Sequence, residues 1–90
     1  MRKTQPFDLE KYKTEPFLCV ATKDDRVIEI LNTNSNATVT FTSGAVVKLP
    51  IMALVMDDDG IERVNRYDKY GMLNGQESPR DLVLYDVNDD

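Results

Sequence analysis

The sequence predicts an all-β domain, or a β-rich α+β domain, built from about five or six short antiparallel strands. Residues 38–42 (TVTFT) alternate between threonines and apolar side chains, which is the pattern of a half-buried strand. The Asp59-Gly60 pair separates two β-prone runs, and such a pair is a strong hairpin signal. From residue 17 onwards the apolar runs are short and are bounded by turn-forming residues. We therefore expect a small SH3-like or OB-like barrel with a short helical turn at the N-terminus.

Ninety residues are enough for one domain, and no Pro-, Gly- or Ser-rich linker divides them. We expect residues 1–90 to form a single small domain whose ends, residues 1–6 and 87–90, are loose. A domain of this length buries only about 60–65% of the surface that its unfolded chain exposes, so its core is thin. A hydrophobic content of 41% is nevertheless enough for a packed core.

The first element along the chain is a short helical segment that follows Pro6. Asp8 is placed to cap its N-terminus, and Phe7, Leu9 and Tyr12 give it a small apolar surface that can dock. Pro16 ends the helix, because the residue before a proline avoids helical dihedral angles.

Two β-prone runs follow the helix, at residues 17–22 and 26–33, and residues 23–25 (KDD) are expected to join them as a hairpin loop. The second run is apolar on both faces, which suits a central strand of a small curved sheet. After the alternating strand, residues 45–49 (AVVKL) continue either as its hairpin partner or as an irregular connection.

The second half of the chain contains one clear hairpin and a closing strand. Residues 51–56 (IMALVM) and 61–68 (IERVNRYD) flank the Asp-Gly pair and are expected to pair with each other. Ile61 and Val64 differ in parity, so we expect a bulge or a twist between them. Residues 82–85 (LVLY) form the closing strand.

The apolar residues of these strands form the predicted core. They are Leu18, Val20, Val27, Ile28, Ile30, Val39, Phe41, Ile51, Ala53, Val55, Val64, Leu82 and Leu84. Cys19 is the single cysteine and lies in an apolar run, where a buried thiol acting as a small hydrophobe is favoured over a catalytic nucleophile.

Several turns and strand starts follow one another in a recurring order. They are Pro6-Phe7-Asp8-Leu9, Pro16, Lys23-Asp24-Asp25-Arg26-Val27, Leu49-Pro50-Ile51-Met52-Ala53-Leu54-Val55, Asp59-Gly60, Tyr67 with Gly71, and Asp81-Leu82-Val83-Leu84. This order resembles that of a group of small uncharacterised proteins encoded by tailed bacteriophages and by gut Bacteroides-type bacteria, often prophage-associated, over roughly residues 5–85. Such proteins typically have a glycine where this chain has Asp25. The resemblance implies a phage or mobile-element origin, without an activity or a catalytic residue.

The composition argues against catalysis and against a metal or cofactor site. Histidine is absent, which removes the commonest general base and weakens any zinc or iron site. The four glycines form no phosphate-binding motif. Residues 57–60 (DDDG) do not fit a calcium loop, because its first and twelfth positions would be Val55 and Arg66. We expect no enzyme, no cofactor and no metal, with the three aspartates splayed in water by their mutual repulsion.

No segment has the pattern of a signal peptide or of a membrane helix, and a secreted domain of this size usually carries several disulfides. We therefore expect a soluble cytoplasmic protein that makes no membrane contact. The net charge is −5, and residues 81–90 contain four aspartates and no base, which favours a solvated acidic tail. The acidic total also argues against nucleic acid as a partner, since such binding depends on Lys and Arg at the phosphates.

Two functions remain open at this point. The first is a non-enzymatic protein-interaction module that binds an unknown protein or a second copy, for example through an exposed strand edge such as residues 38–42. The alternative is a weak single-stranded nucleic-acid binder whose rings stack on bases and whose cations neutralise phosphates. Its binding residues would be Arg63, Arg66, Tyr67, Lys69 and Tyr70. In the opposing interpretation, Tyr67 belongs to the core or its rim and the cations only solubilise the surface.

Overall fold

The computed structural model describes residues 3–88 and contains eight strands and one helix in that range. In chain order they are β1 (Thr4–Pro6), α1 (Leu9–Thr14), β2 (Leu18–Thr22), β3 (Ile28–Asn32), β4 (Ala37–Thr40), β5 (Val46–Leu49), β6 (Ile51–Met56), β7 (Glu62–Tyr67) and β8 (Leu82–Asp86). The predicted β-rich class is therefore confirmed.

The strands are arranged in three antiparallel sheets. The first sheet has the order β1-β8-β2, the second sheet has the order β3-β6-β7, and β4 and β5 form a separate hairpin. Between residues 3 and 88 these sheets do not close into a barrel, so that part of the fold prediction is not confirmed. No helix within this range is long and apolar enough to cross a membrane.

The core lies between the inner faces of the first and second sheets, with the start of α1 packed against it. The buried cluster consists of Phe7, Leu9, Leu18, Ile51, Ala53, Val55, Tyr67, Leu82 and Leu84. The molecule is only 20 Å thick along its shortest axis. Two layers about 10 Å apart account for that thickness.

The helix begins and ends as the sequence predicts. The Asp8 carboxylate accepts hydrogen bonds from the amides of Glu10 and Lys11, which caps the N-terminus of α1. Glu15, the residue before Pro16, has an extended conformation (φ −117°, ψ 93°) and stops the helix after Thr14.

The predicted hairpin across Asp59-Gly60 is confirmed. β6 pairs with β7 continuously from Ile51 opposite Tyr67 to Met56 opposite Glu62, so the bulge expected at residues 61–64 is absent from this hairpin. A register shift occurs instead in β3, between Ile30 and Asn32. Residues 46–49 pair with β4, which selects the hairpin partner from the two alternatives left open for this segment.

The predicted hairpin between residues 17–22 and 26–33 is wrong. β2 pairs with β8, and β3 pairs with β6 in the other sheet. A turn is present where one was expected, since the Asp25 amide donates to the Thr22 carbonyl and the Arg26 amide to Thr22 Oγ1. This turn carries the chain from the first sheet to the second. At its start the Lys23 amide donates to the Asp81 carbonyl, which directly precedes β8.

The N-terminal segment is more ordered than the sequence predicts. Residues 4–6 were expected to be loose but form β1, with Thr4 opposite Tyr85 and Pro6 opposite Val83. At the other end the Val87 amide donates to the Phe17 carbonyl. The expectation of loose ends at residues 1, 2, 89 and 90 lies outside the described residues.

The core prediction is correct for the strand positions that face the other sheet. Leu18, Ile51, Ala53, Val55, Leu82 and Leu84 are buried, and Val20, Ile28 and Ile30 are half-buried and pack against the cluster. Val39 and Phe41 are also half-buried, but they lie on the separate β4–β5 hairpin and do not belong to this cluster. Val27 and Val64 are wrong, since they are 67% and 50% exposed. The predicted core omits Ala21, Leu49 and Val83, which are buried. It also omits Phe7 and Leu9, expected only as a docking surface of the helical segment, and Tyr67, expected in the core or its rim only in the opposing interpretation, and all three are buried. Cys19 is a half-buried free thiol.

Candidate functional site

The second sheet has one face in the core and one apolar face that points away from it. Alternation along β6 places Ile51, Ala53 and Val55 inside, and Met52 and Leu54 on the opposite side. Residues opposite one another in neighbouring strands lie on the same side of a sheet. The side that points away is called the outer face here, and its residues are Val27, Glu29, Leu31, Asn32, Met52, Leu54, Met56, Glu62, Val64 and Arg66.

The apolar residues of the outer face form a continuous patch. Leu54 in the central strand lies opposite Val64 of β7, while Met56 donates its amide to the Val27 carbonyl at 3.0 Å. Leu31 lies at the register shift in β3 and is 45% exposed. None of these residues belongs to the buried cluster or packs against it. Single exposed apolar residues are common, whereas contiguous apolar patches rimmed by polar residues are rarer on monomeric proteins and are candidates for an interaction surface.

Three charged residues frame this patch. Glu62 and Arg66 lie at opposite ends of β7, four residues or about 13 Å apart, and Glu29 lies opposite Leu54 on β3. Arg66 Nη1 donates to Ser35 Oγ at 3.3 Å. Within residues 3–88, the carboxylates of Glu29 and Glu62 have no hydrogen-bond or ion-pair partner. The outer face thus presents an apolar centre with one positive and one negative end.

The aspartates of the β6–β7 turn form ion pairs, which corrects the prediction that they are splayed in water. Arg63 binds Asp57 at 2.6 Å through Nη1 and Asp59 at 2.9 Å through Nη2. The second oxygen of Asp57 accepts from Arg80 at 2.5 Å. The third aspartate, Asp58, accepts from Arg26 at 2.6 Å. The turn is therefore a cluster in which arginines offset the carboxylate repulsion.

The same contacts lower the pKa values of Asp57 and Asp59. The hydrogen bond from Arg63 lowers the pKa of Asp59 from 3.8 to about 2. Arg63 and Arg80 also lower the pKa of Asp57, and the two aspartates raise the pKa of Arg63. In the part of the chain that the structure describes, no group of three Asp, Glu or Cys side chains is arranged to hold a metal ion. The turn is a structural clamp, since each carboxylate is already engaged by a guanidinium.

The residues predicted for nucleic-acid binding do not form one platform. Tyr67 is fully buried (0% exposed), and burial raises the pKa of its hydroxyl. It belongs to the core, as the opposing interpretation proposes, and cannot stack on a base. Arg63 is bound to the turn aspartates and Arg66 lies on the outer face. Only Lys69 and Tyr70 are neighbours, with Lys69 Nζ 5.1 Å from the centroid of the Tyr70 ring.

Tyr70 is 58% exposed and lies where several clefts meet. One of these clefts has a volume of about 480 Å³ and runs between Lys48 on the β4–β5 hairpin and Lys69. Two smaller clefts of about 270 and 330 Å³ also reach the Tyr70 ring. Together the three clefts are lined by three lysines (Lys23, Lys48 and Lys69) and one exposed ring, but none of the predicted arginines lines them.

Sequence reasoning missed the outer face, although the sequence contains a signal for it. Residues 51–56 are apolar at every position, which is typical of a strand covered on both sides. The inner face of β6 packs in the core, whereas on the outer face Val27, Leu31 and Val64 are exposed and Met52, Leu54 and Met56 are half-buried. A comparison of the chain with family models, with curated proteins and with solved structures gave no match.

Proposed function

We propose that this protein is a non-enzymatic protein-interaction module that binds through its outer face. The observation that supports the proposal is the contiguous apolar surface of β6 and its neighbours, centred on Leu54 and Val64. The phage or mobile-element origin implied by the sequence resemblance remains part of the proposal, and a soluble cytoplasmic location goes with it.

The energetics of the patch support a protein partner. Fully burying an aliphatic side chain of this size contributes about 1.5–3 kcal/mol relative to leaving it exposed. Val27, Leu31 and Val64 are each at least 45% exposed, so a partner that covers them recovers part of that free energy. The neighbouring side chains of Met52 and Met56 are flexible and adapt to the surface they meet.

The polar groups support binding over catalysis. Catalysis by proton transfer needs a titratable group that is free to exchange a proton near neutral pH. In the β6–β7 turn, Arg63 instead lowers the pKa of Asp59 to about 2 and also lowers the pKa of Asp57, which keeps both carboxylates ionised. The sequence contributes no histidine.

The nucleic-acid alternative is not adopted. Tyr67 is buried and Arg63 is neutralised by two aspartates, which leaves Lys69 and Tyr70 as neighbours on the surface. With a net charge of −5, two such residues supply little of the phosphate neutralisation on which this binding depends.

The test uses matched charge insertions at two exposed valines. Val64→Lys places an ammonium in the centre of the outer face, and Val46→Lys places one on the β4–β5 hairpin, where Val46 is 62% exposed. Tagged wild type and both variants are used to capture proteins from a lysate of the source cells that also contains an untagged copy of the chain, with and without nuclease. We expect a nuclease-resistant protein that wild type and Val46→Lys retain and Val64→Lys loses. Capture that disappears with nuclease, or is equal in all three proteins, contradicts the proposal.

A further inference from the structure

We propose that the occupant of the outer face is the outer face of a second copy of this chain, related by a two-fold axis that runs across the strands. This inference rests on the proposed function of the outer face as an interaction surface and names its partner. It makes the protein a face-to-face dimer in which Glu62 of each copy meets Arg66 of the other.

The register of the second sheet places the outer-face residues in three rows. Val27, Met56 and Glu62 form the first row, Glu29, Leu54 and Val64 the central row, and Asn32, Met52 and Arg66 the third row, with Leu31 beside it. A two-fold axis along the central row brings the first row of one copy onto the third row of the other. Leu54 then meets Leu54, Val64 meets Val64, and Met56 meets Met52.

The charges on β7 make this arrangement self-complementary. Glu62 and Arg66 lie about 13 Å apart along one strand, too far to neutralise each other within a chain. Glu62 has no partner among residues 3–88, and the neutral hydroxyl of Ser35 is the side-chain acceptor of Arg66. The two-fold axis places Glu62 of each copy against Arg66 of the other. Because the same patch of each copy forms the interface, this ion pair occurs twice.

One contact of the arrangement is unfavourable, and it distinguishes an axis across the strands from an axis parallel to them. Glu29 lies in the central row, so the two copies of Glu29 face each other at the rim. An axis parallel to the strands would place Glu29 against Val64 instead. The carboxylate of Glu29 has no partner in the described chain, so the repulsion between the two copies of Glu29 weakens this dimer. Neutralising Glu29 is therefore expected to strengthen the dimer.

The size of the surface sets the expected affinity. The outer face is three strands wide, about 14 Å, and five residues long, about 17 Å. A stable interface typically buries about 800 Å² on each partner. The outer face is smaller than that, so we expect a weak dimer in dynamic exchange, whose population rises with protein concentration.

The test reverses the charges one at a time and then mixes the variants. Glu62→Arg leaves two positive ends on the outer face, and Arg66→Glu leaves two negative ends. Each variant repels its own copy, whereas the two variants are complementary to each other. Sedimentation equilibrium over a concentration series gives the weight-average mass, which for wild type is expected to rise from 10.3 kDa towards twice that value. Each single variant is expected to dissociate at least about tenfold more readily, and an equimolar mixture to recover association.

Matched controls separate these effects from net charge. Glu77→Arg and Lys48→Glu make the same charge changes at exposed positions away from the outer face and are expected to associate like wild type. Glu29→Gln is expected to associate more tightly. Circular dichroism checks that each variant is folded.

Two results overturn the inference. The first is a wild-type mass of 10.3 kDa at every concentration, and the second is a mixture of the charge-reversed variants that associates no better than either alone. The proposed function is distinguishable from the inference, because capture of a different protein that depends on Val64 would stand without self-association. If neither self-association nor Val64-dependent capture of another protein is observed, the proposed function is contradicted as well.

Discussion

Gly71 lies against Phe7 so closely that a Cβ atom at position 71 would be 2.7 Å from the Phe7 Cβ atom. The same atom would be 2.9 Å from the Leu82 Cβ atom, and the backbone of Gly71 has φ +79°. The turn after β7 therefore packs directly on the residue that follows β1 and on the start of β8. This contact joins the two layers at the end of the core opposite the β6–β7 turn.

Gly71→Ala is expected to lower the free energy of unfolding by roughly 2 kcal/mol or more, because left-handed strain adds to overpacking. Gly60→Ala is the matched control, since Gly60 has the same φ of +79° but has no atom within 4 Å of its Cβ position. Its loss is expected to be about 1 kcal/mol, from backbone strain alone. Urea denaturation measures both, and equal losses would contradict the close contact.

Asp81→Asn is expected to destabilise the loop between β7 and β8. The buried Asp81 carboxylate accepts from the Leu73 amide through one oxygen and from the Ser78 amide through the other. An asparagine has one acceptor oxygen, so one amide loses its partner at a cost of about 1–3 kcal/mol. Faster hydrogen exchange at Leu73 or Ser78, together with a lower unfolding midpoint, is the expected readout.

Asp8→Asn is the control for that substitution. Both hydrogen bonds of the Asp8 side chain use the same oxygen, which an asparagine also provides. Asparagine is as good an N-cap as aspartate, so the unfolding midpoint is expected to change little. An Asp81→Asn protein that is as stable as Asp8→Asn would contradict the role assigned to Asp81.

Acid is expected to weaken the fold through the β6–β7 turn. The pKa of Asp59 is lowered from 3.8 to about 2 by Arg63, so the folded state binds the Asp59 proton more weakly than the unfolded state. Its contribution is fully present above about pH 4 and is lost as the pH falls through about 2. Asp57, with a pKa lowered by the same arginine, acts in the same direction.

Arg63→Gln tests this dependence by removing the guanidinium. The melting temperature of the variant is expected to fall less steeply than that of wild type between pH 4 and pH 2. Lys48→Gln is the control, because it removes the same charge at an exposed position whose ammonium, within residues 3–88, pairs with no carboxylate. Identical pH profiles for wild type and Arg63→Gln would show that the ion pairs contribute nothing to acid stability.

Local signals account for the parts of the fold that the sequence predicts. The Asp59-Gly60 turn, the Asp8 cap and the inward positions of β6 all depend on residues close together in the chain. The partners of β2 and β3 could not be predicted in this way, because both pair with strands far along the chain. The pairing of β1 with β8 is another long-range contact, and the three residues of β1 are too few for a pattern.

The candidate site was less accessible from the sequence. Val27 immediately precedes β3 and Val64 lies in β7, and apolarity alone does not say which face of a sheet another layer covers. The ion pairs of the β6–β7 turn involve Arg26 and Arg80, which are more than 20 residues from the turn aspartates. The sequence leaves two roles open for Tyr67, base stacking or the core, and its burial assigns it to the core.

Oxidative footprinting of the methionines tests most directly whether a protein covers the outer face. Met52 and Met56 lie on that face, and Met72 is equally half-buried but lies beside Leu82 and Val83. In dilute protein we expect hydroxyl radicals to oxidise all three, and in the captured or self-associated complex we expect Met52 and Met56 to be protected while Met72 is unchanged. Equal oxidation of Met52 and Met56 in the free and the complexed protein would contradict the outer face as the binding surface.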